Sequence, residues 1–345
     1  MEQSAPTAAG RPLLIANPAA GRGRTGHALP HLVAAVRDAV GDLEVAETRR
    51  RGDAERRAAA AVRERRPLVV GLGGDGTLNE IANGLLAGVP ERPVDTERTG
   101  PVPGAFASGL PALGIVGTGT GGDYGRSLGI AHELGAYLAA LRGGAERAVD
   151  VGRASYTGPD GRPCRRYWLN VLSAGIGGLV DRYTASAPAL LGGRLAYAQA
   201  TVRAIVVCRR TRLRCRYVDL DGAPRERMLD AHAVAVCNGR TFGGGMNIAP
   251  MALLHDGVLE VVAFETRTRA RLIGRFMTVY AGTHLDEPGI SHFRCLSLEL
   301  EPETKADRRP RAGLFPLDVD GDALGDVPLR VDVAPGALRV RAPLP

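Results

Sequence analysis

Short apolar runs and helix-spaced apolar positions take turns through the first 150 residues. Leu13–Ala16 is an apolar run leading into Asn17-Pro18-Ala19-Ala20-Gly21. Thr25–Val40 carries apolar residues at Leu29, Leu32, Val33 and Val36, the spacing of one helix face. Val45–Thr48 predicts a second strand and Asp53–Arg65 an Ala/Arg-rich helix. Leu68–Leu72 is a continuous apolar run of the kind buried on both faces of a parallel sheet. A helix is predicted over 78–86, a long Pro/Gly-rich loop over 89–111, a strand at Leu113–Val116 and a helix at Glu133–Arg142. Strands alternating with helices predict an α/β domain with a parallel, Rossmann-like sheet.

After Val149 the texture changes. Tyr167–Leu172, Arg214–Leu220, Ala233–Cys237, Val258–Phe264, Leu296–Leu300, Leu329–Val333 and Leu338–Val340 are short, often β-branched runs bounded by turn residues. Helices are expected only near 194–207 and 270–284. The pattern predicts an α/β domain over 1–150 and a mostly β, sandwich-like domain over 151–345, with the extreme C-terminus packing back on the first domain.

Composition adds constraints. The chain has 345 residues, 45% hydrophobic and 23% charged, which fits two globular domains and excludes wholesale disorder. The net charge of +7 is carried almost entirely by arginine, for Lys305 is the only lysine. A Walker-A loop or a Schiff-base enzyme needs a lysine in the pocket, and Lys305 sits in the polar stretch Glu303–Arg311, read as a surface loop. Phosphate chemistry here would have to use backbone amides, arginine and metal. With aromatics at 4% and no helix-turn-helix, zinc-finger or RNA-binding signature, nucleic acid is not expected as a partner. No run approaches the ~18–20 apolar residues of a membrane span, and Met1–Arg11 reads as a loose tail. Cys164, Cys208, Cys215, Cys237 and Cys295 include no CxxC pair, so buried neutral thiols in a reducing cytoplasm are expected.

The strongest local signal is Gly73-Gly74-Asp75-Gly76-Thr77-Leu78-Asn79-Glu80, placed after a buried strand and at the start of a helix. Consecutive amides at a helix N-terminus bind anions, and glycines let the backbone come close to phosphate oxygens. Asp75 offers a carboxylate for Mg²⁺ or a proton, and Thr77 a hydroxyl; alternatively either one caps the helix of an ordinary β–α turn. Two further loops share the setting. Asn17-Pro18-Ala19-Ala20-Gly21-Arg22-Gly23 follows the first strand, and Gly117-Thr118-Gly119-Thr120-Gly121-Gly122-Asp123 follows the strand at Leu113–Val116. In a parallel sheet all three emerge at the carboxyl edge, where ligands bind, and together they predict a nucleotide or polyphosphate site.

The order and wording of these loops resemble the diacylglycerol kinase catalytic-domain family, which includes sphingosine kinases and soluble bacterial lipid kinases. The resemblance runs from about Leu13 to Pro343. Its elements are Asn17-Pro18-x-x-Gly21, then Gly73 to Glu80, then Gly119-Thr120-Gly121-Gly122-Asp123-Tyr124-Gly125-Arg126 against a Gly-Thr-Gly-Asn-Asp-Phe-Ala-Arg pattern. The family's Asn is Gly122 here and its preceding Pro is Gly117, so a side-chain contact is lost. Later matches are Asn170 to Gly177, Asn238-Gly239 with Gly243-Gly244-Gly245, Pro250 to Gly257, and Asp320-Gly321-Asp322. The middle motif alone also occurs in NAD kinases and phosphofructokinases, whose fold the first domain should share.

The resemblance implies an ATP site at Asn17, Pro18, Ala19, Ala20, Gly21, Thr48, Gly74, Asp75, Gly76, Thr77, Leu78, Asn79, Glu80 and Thr120. It implies Mg²⁺ at Asp256 with main-chain oxygens of Leu253 and Val258. The family's base lies in Asp-Gly-Glu; the present Asp320-Gly321-Asp322 ends in a shorter acid, so Asp322 and Asp320 are the candidates. The expected activity is an ATP- and Mg²⁺-dependent transfer of phosphate to a lipid hydroxyl, with diacylglycerol leading. The expected setting is cytoplasmic, with peripheral contact at the inner membrane surface; a homodimer is left open. Two alternatives remain: a kinase of a soluble acceptor such as NAD or a sugar phosphate, with Asp75 as base, and a nucleotide-binding regulator without turnover.

Overall fold

A computed structural model of the chain describes residues 10–89, 109–143, 145–158, 160–185, 199–200, 203–205, 207–303, 315–320 and 322–343, without the side chains at 181, 182, 184, 185, 269, 275–277, 322 and 323. The described residues form two units, one drawn from Met1–Arg92, Pro101–Val151 and Pro335–Pro345, the other from Gly152–Ala334. Most of the loop predicted over 89–111 lies outside the described residues, as do Lys305 and residues 194–198, 201, 202 and 206 of the helix predicted over 194–207; residues 199, 200, 203–205 and 207 are helical.

The first unit is an α/β layer. Strands β1 (Leu13–Ala16), β2 (Glu44–Glu47), β3 (Leu68–Gly73) and β4 (Ala112–Gly117) run parallel in the order β2-β1-β3-β4. Every residue of β1 and β3 is buried, which is why both read as unbroken apolar runs. Helices α1 (Arg24–Val40), α2 (Asp53–Arg63), α3 (Asp75–Leu86), α4 (Asp123–Ser127) and α5 (Leu134–Gly143) follow the strands. Helix α3 turns Leu78, Ile81 and Leu85 into the core at 2% exposure or less, each burial stabilising by about 1.5–3 kcal/mol. It begins three residues before the predicted start, because extended Gly74 serves as its N-cap. Gly84 on α3 lies against α2 so closely that a Cβ there would sit 2.1 Å from the Glu55 carbonyl oxygen. The C-terminal segment adds Val340 beside Leu113 of β4, again in parallel.

The second unit is mostly antiparallel. Its strands are β5 (Ala145–Thr157, begun in the first unit), β6 (Pro163–Trp168), β7 (Val171–Gly175), β8 (Thr211–Val218), β9 (Pro224–Ala231), β10 (Ala233–Cys237), β11 (Thr241–Phe242), β12 (Met246–Asn247), β13 (Leu259–Phe264), β14 (Ile290–Cys295), β15 (Ser297–Pro302), β16 (Pro316–Val319) and β17 (Asp322–Ala342, ending in the first unit). One layer runs β14-β13-β10-β7-β16-β17 and another runs β9-β8-β15-β17. Period-two alternation divides their side chains. Val234 and Val236 face the core shared with Trp168, Leu213 and Leu298, while Ala233, Ala235 and Cys237 face a second core. That second core holds Ile176 of α6 (Ile176–Ala185) and Leu272 and Val279 of α7 (Arg269–Ala281). A strand buried on both faces therefore looks uniformly apolar.

Three predicted strands are redrawn. Tyr167–Leu172 breaks at Leu169–Asn170, where the amides turn to a side chain described below, and Leu329–Val333 merges with Leu338–Val340 in β17. The arginines at 212, 214 and 216 alternate with buried Leu213 and Cys215 on β8 and pair outward with Glu226, Glu299, Glu301 and Glu303. That cluster is a solvated ion-pair ladder, worth little to stability pair by pair.

Candidate functional site

In the first unit, parallel strands release the three glycine loops and Thr48 at one sheet edge, and side chains then stitch the loops together. Asn17 donates from Nδ2 to Thr77 Oγ1 at 2.9 Å, and its Oδ1 accepts the Ala19 amide at 3.0 Å. The Thr25 and Thr118 hydroxyls meet at 2.8 Å. Gly21, Arg22 and Gly23 follow one another at φ 59°, 62° and 84°, a left-handed turn that delivers the chain into α1; such backbone costs of order 1 kcal/mol at a non-glycine residue and is typical of ligand clamps. A Cβ at Gly21 would lie 2.7 Å from the Thr118 carbonyl oxygen, and one at Gly119 would lie 2.8 Å from Gly74 Cα. The first and third loops, and the second and third, thus touch backbone to backbone, an approach only glycine permits.

The residues of the central motif divide by role. Gly74 and Gly76 leave open backbone at the start of α3, and Thr120 is exposed in the third loop. Thr48 is fixed by its amide to the Ala16 carbonyl at 2.8 Å, and Pro18 accepts from the Gly26 amide at 3.0 Å. Glu80 accepts the Gly52 amide at 2.9 Å, holding the turn that follows Thr48. Leu78 and Asn79 are 2% and 0% exposed, their side chains turned into the interior, so any contribution to a ligand passes through backbone.

Asp75 differs from both readings offered for it. Its Oδ2 accepts the amides of Gly122 and Asp123 at 2.9 and 3.2 Å, and its Oδ1 accepts that of Tyr124 at 3.1 Å. The carboxylate caps α4 and ties the second loop to the third, and its own helix has no side-chain cap. A carboxylate engaged by three amides acts as a positioning group.

In the second unit, Asp320 repeats this device. It stands at φ 48°, a left-handed conformation that Asp tolerates. Its Oδ2 accepts the Leu169 amide at 2.7 Å, and its Oδ1 accepts those of Asn170 and Val171, both at 3.0 Å. These bonds break the strand at 169–170 and engage both oxygens of Asp320. The carboxylate of Asp322 and all of Gly321 lie outside the described residues.

Asp256 lies in a turn, where Oδ1 accepts the Val258 amide at 3.2 Å and Oδ2 meets Arg294 Nη2 at 2.9 Å. Arg294 Nε also reaches Glu260 Oε1 at 3.0 Å, and His292 Nε2 donates to Glu260 Oε2 at 2.6 Å. Burial pushes the Asp256 carboxyl above its usual range, the Val258 amide and Arg294 pull it back, and Glu260 pushes it up again. Such a hard-oxygen, charge-stressed carboxylate fits a cation, and Arg294 supplies one in this structure. Among the described residues no cluster of three or more His, Cys, Asp or Glu forms a metal site. A ligand set of Asp256 with the carbonyls of Leu253 and Val258 would lean on the main chain.

Sequence reasoning missed the partners of these acids. Arg294, His292 and Glu260 come from two neighbouring strands, with Glu260 registered against Arg294, a pairing no linear motif announces. His132 and Tyr137, beside the third loop, were missed for the same reason. None of the five thiols is in a disulfide and four are buried; burial raises Cys215 to about 12 and lifts Cys237 and Cys295 above their ordinary value.

Residues 11–154 match the diacylglycerol kinase catalytic domain, and residues 170–342 match the YegS C-terminal NAD kinase beta sandwich-like domain. The protein named probable lipid kinase YegS-like from Klebsiella pneumoniae (strain 342) is 28% identical over 332 residues, covering 96% of this chain and 95% of the relative. Its namesake from Stenotrophomonas maltophilia (strain K279a) is 29% identical over 320 residues, covering 89% and 91%. The crystal structure of a diacylglycerol kinase from Bacillus anthracis strain Sterne superposes with a TM-score of 0.63 at 21% identity, over 96% of each chain, a likeness of fold. With one domain match over the glycine loops and the other over the antiparallel strands, the chain belongs to the diacylglycerol kinase catalytic-domain family and carries its YegS-type C-terminal domain.

Proposed function

We propose that the protein is an ATP-dependent lipid kinase that moves the γ-phosphoryl group of ATP to a lipid hydroxyl, with diacylglycerol the first substrate to try. The observation that carries the reading is the convergence of three glycine loops at one sheet edge, laced by Asn17–Thr77, Thr25–Thr118 and Asp75 with the amides of 122–124. The names of the relatives, probable lipid kinases, supply the acceptor class.

Phosphoryl transfer needs positioning and charge neutralisation more than covalent help from the protein. The backbone of 18–23, 74–77 and 118–120 would cradle the triphosphate, its amides donating to phosphate oxygens. Thr48, held by Ala16, and Glu80, acting through Gly52, would fix the neighbouring turn. With Asp320 committed to Leu169, Asn170 and Val171, Asp322 is the acid of its motif left to take the acceptor's proton. The lipid oxygen attacks the γ-phosphorus, the bond to the β-phosphate oxygen breaks, ADP leaves and the proton passes to the carboxylate. Asp256 with the main-chain oxygens of Leu253 and Val258 would hold Mg²⁺, which when bound neutralises negative charge.

No helix among the described residues is long and apolar enough to cross a membrane. Peripheral contact is proposed through α7, where Ile273 and Tyr280 are 50% and 51% exposed and Arg271 is also exposed; large exposed apolar side chains beside arginine suit an anionic lipid surface. The test is incubation with labelled ATP and detergent-dispersed lipids beside NAD and fructose 6-phosphate. Label in a lipid product, lost in Asp322→Asn, supports the reading. Label confined to the soluble acceptors refutes it, and full activity of Asp322→Asn removes that acid from the mechanism.

A further inference from the structure

Against the pattern that the sequence resembles, Gly117, Gly122 and Gly125 of the third loop stand in place of Pro, Asn and Ala. All three vacancies face one pair of side chains. A Cβ at Gly122 would fall 2.1 Å from His132 Nδ1; at Gly117 it would fall 2.5 Å from the Tyr137 hydroxyl oxygen, and at Gly125 2.7 Å from the same atom. Position 122 is left-handed at φ 69°, which favours glycine and which Asn also visits, so space is a second constraint there. His132 occupies that space.

The pair is wired to the loop. His132 Nε2 lies 3.0 Å from the Gly119 carbonyl oxygen, and Nδ1 lies 2.8 Å from the Tyr137 hydroxyl. A carbonyl only accepts, so Nε2 donates to Gly119, and Nδ1 shares the second hydrogen bond with the Tyr137 hydroxyl. The rings meet edge to face, with centroids 5.9 Å apart at 85°. Tyr137 is 1% exposed, so its orientation is set by α5 and the core. Gly119, at the end of this relay, is the residue in backbone contact with Gly74 of the second loop. The loop is therefore pinned at three places: Thr118 to Thr25, Gly119 to His132, and residues 122–124 to Asp75.

We propose that His132 and Tyr137 are positioning residues that replace the side chains missing from the third loop, holding Gly119, and with it Thr120, in register with the second loop for nucleotide. The proposal rests on reading these loops as the ATP site. It also answers the nucleotide-binding-regulator alternative, since the absent Asn at 122 no longer implies a slack loop.

The test is steady-state kinetics with ATP varied, alongside nucleotide binding and thermal melting, on five variants. His132→Ala should raise the KM for ATP about tenfold, the effect of losing one loop hydrogen bond, with kcat within about twofold and little change in melting temperature. His132→Gln keeps an N–H donor for Gly119 and should stay near wild type; should the alanine variant fail to fold, this one against His132→Leu carries the same comparison. Gly122→Asn alone should collide with the imidazole and raise KM further. Gly122→Asn combined with His132→Ala should restore KM to within about threefold of wild type, because the amide fills the vacated space. An unchanged KM in His132→Ala, or a double variant no better than Gly122→Asn, overturns the proposal. Wild type that binds no nucleotide fails the ATP-site reading itself, a different result from wild type that binds normally while the variants do not differ.

Discussion

Replacing Asp320 separates a structural carboxylate from a catalytic one. Its oxygens take the amides of Leu169, Asn170 and Val171, residues 1%, 4% and 3% exposed, so the donors left behind would be dry. A buried amide without a partner costs about 1–3 kcal/mol. Asp320→Asn keeps one oxygen for Asn170 and Val171 but turns an NH₂ toward the Leu169 amide, for a loss of about 2 kcal/mol. Asp320→Ala strands all three amides and adds about 1 kcal/mol for alanine at the left-handed φ, for a loss of about 4–10 kcal/mol. In a unit of this size, 1 kcal/mol moves the melting temperature by about 2–4 °C. The asparagine variant should therefore melt about 4–8 °C lower and the alanine variant 10 °C or more. Both would be followed by calorimetry, with phosphoryl transfer assayed well below the transition. Turnover per folded molecule should fall only modestly. An alanine variant that melts like wild type yet transfers no phosphate would refute this reasoning and return Asp320 to the role of base.

Two further predictions concern packing and pH. Gly84→Ala would place a Cβ 2.1 Å from the Glu55 carbonyl oxygen and 2.8 Å from Ala58 Cβ, so α2 and α3 must part at a cost of about 1–3 kcal/mol; an unchanged urea midpoint would refute the close approach. Burial raises the Asp332 carboxyl above its ordinary 3.8, although Arg153, 2.8 Å away, lowers it in part. The folded state then holds this proton more tightly than the unfolded one, so Asp332 subtracts stability as pH climbs from about 3.8 through the raised value. Urea unfolding of wild type and Asp332→Asn at stepped acidic pH should show the advantage of wild type shrinking with rising pH; an advantage that grows would reverse the sign.

The α/β unit was legible because its rules are local. Leu13–Ala16 and Leu68–Gly73 are buried throughout, and a continuous apolar run shows this directly. The glycine loops sit where strands end, so their order along the chain was enough to suggest a shared edge. The antiparallel unit was less legible. Pro224–Ala231 and Ile290–Cys295 were missed, being held by neighbours distant in sequence and carrying polar outer faces. Their residues are strands because of what lies beside them.

Read along the chain, the residues able to serve phosphate chemistry were already evident: one lysine outside any motif, three glycine loops, and acids at Asp75, Asp256, Asp320 and Asp322. Tertiary structure alone decided what most of these acids do. Asp75 and Asp320 each collect three amides, and Asp256 meets an arginine from a neighbouring strand. A carboxylate's role depends on which donors reach it, and those donors lie 47 to 49 positions from Asp75 and 149 to 151 from Asp320. The same holds at Gly122, which reads as a lost contact along the chain and, in three dimensions, as room made for His132.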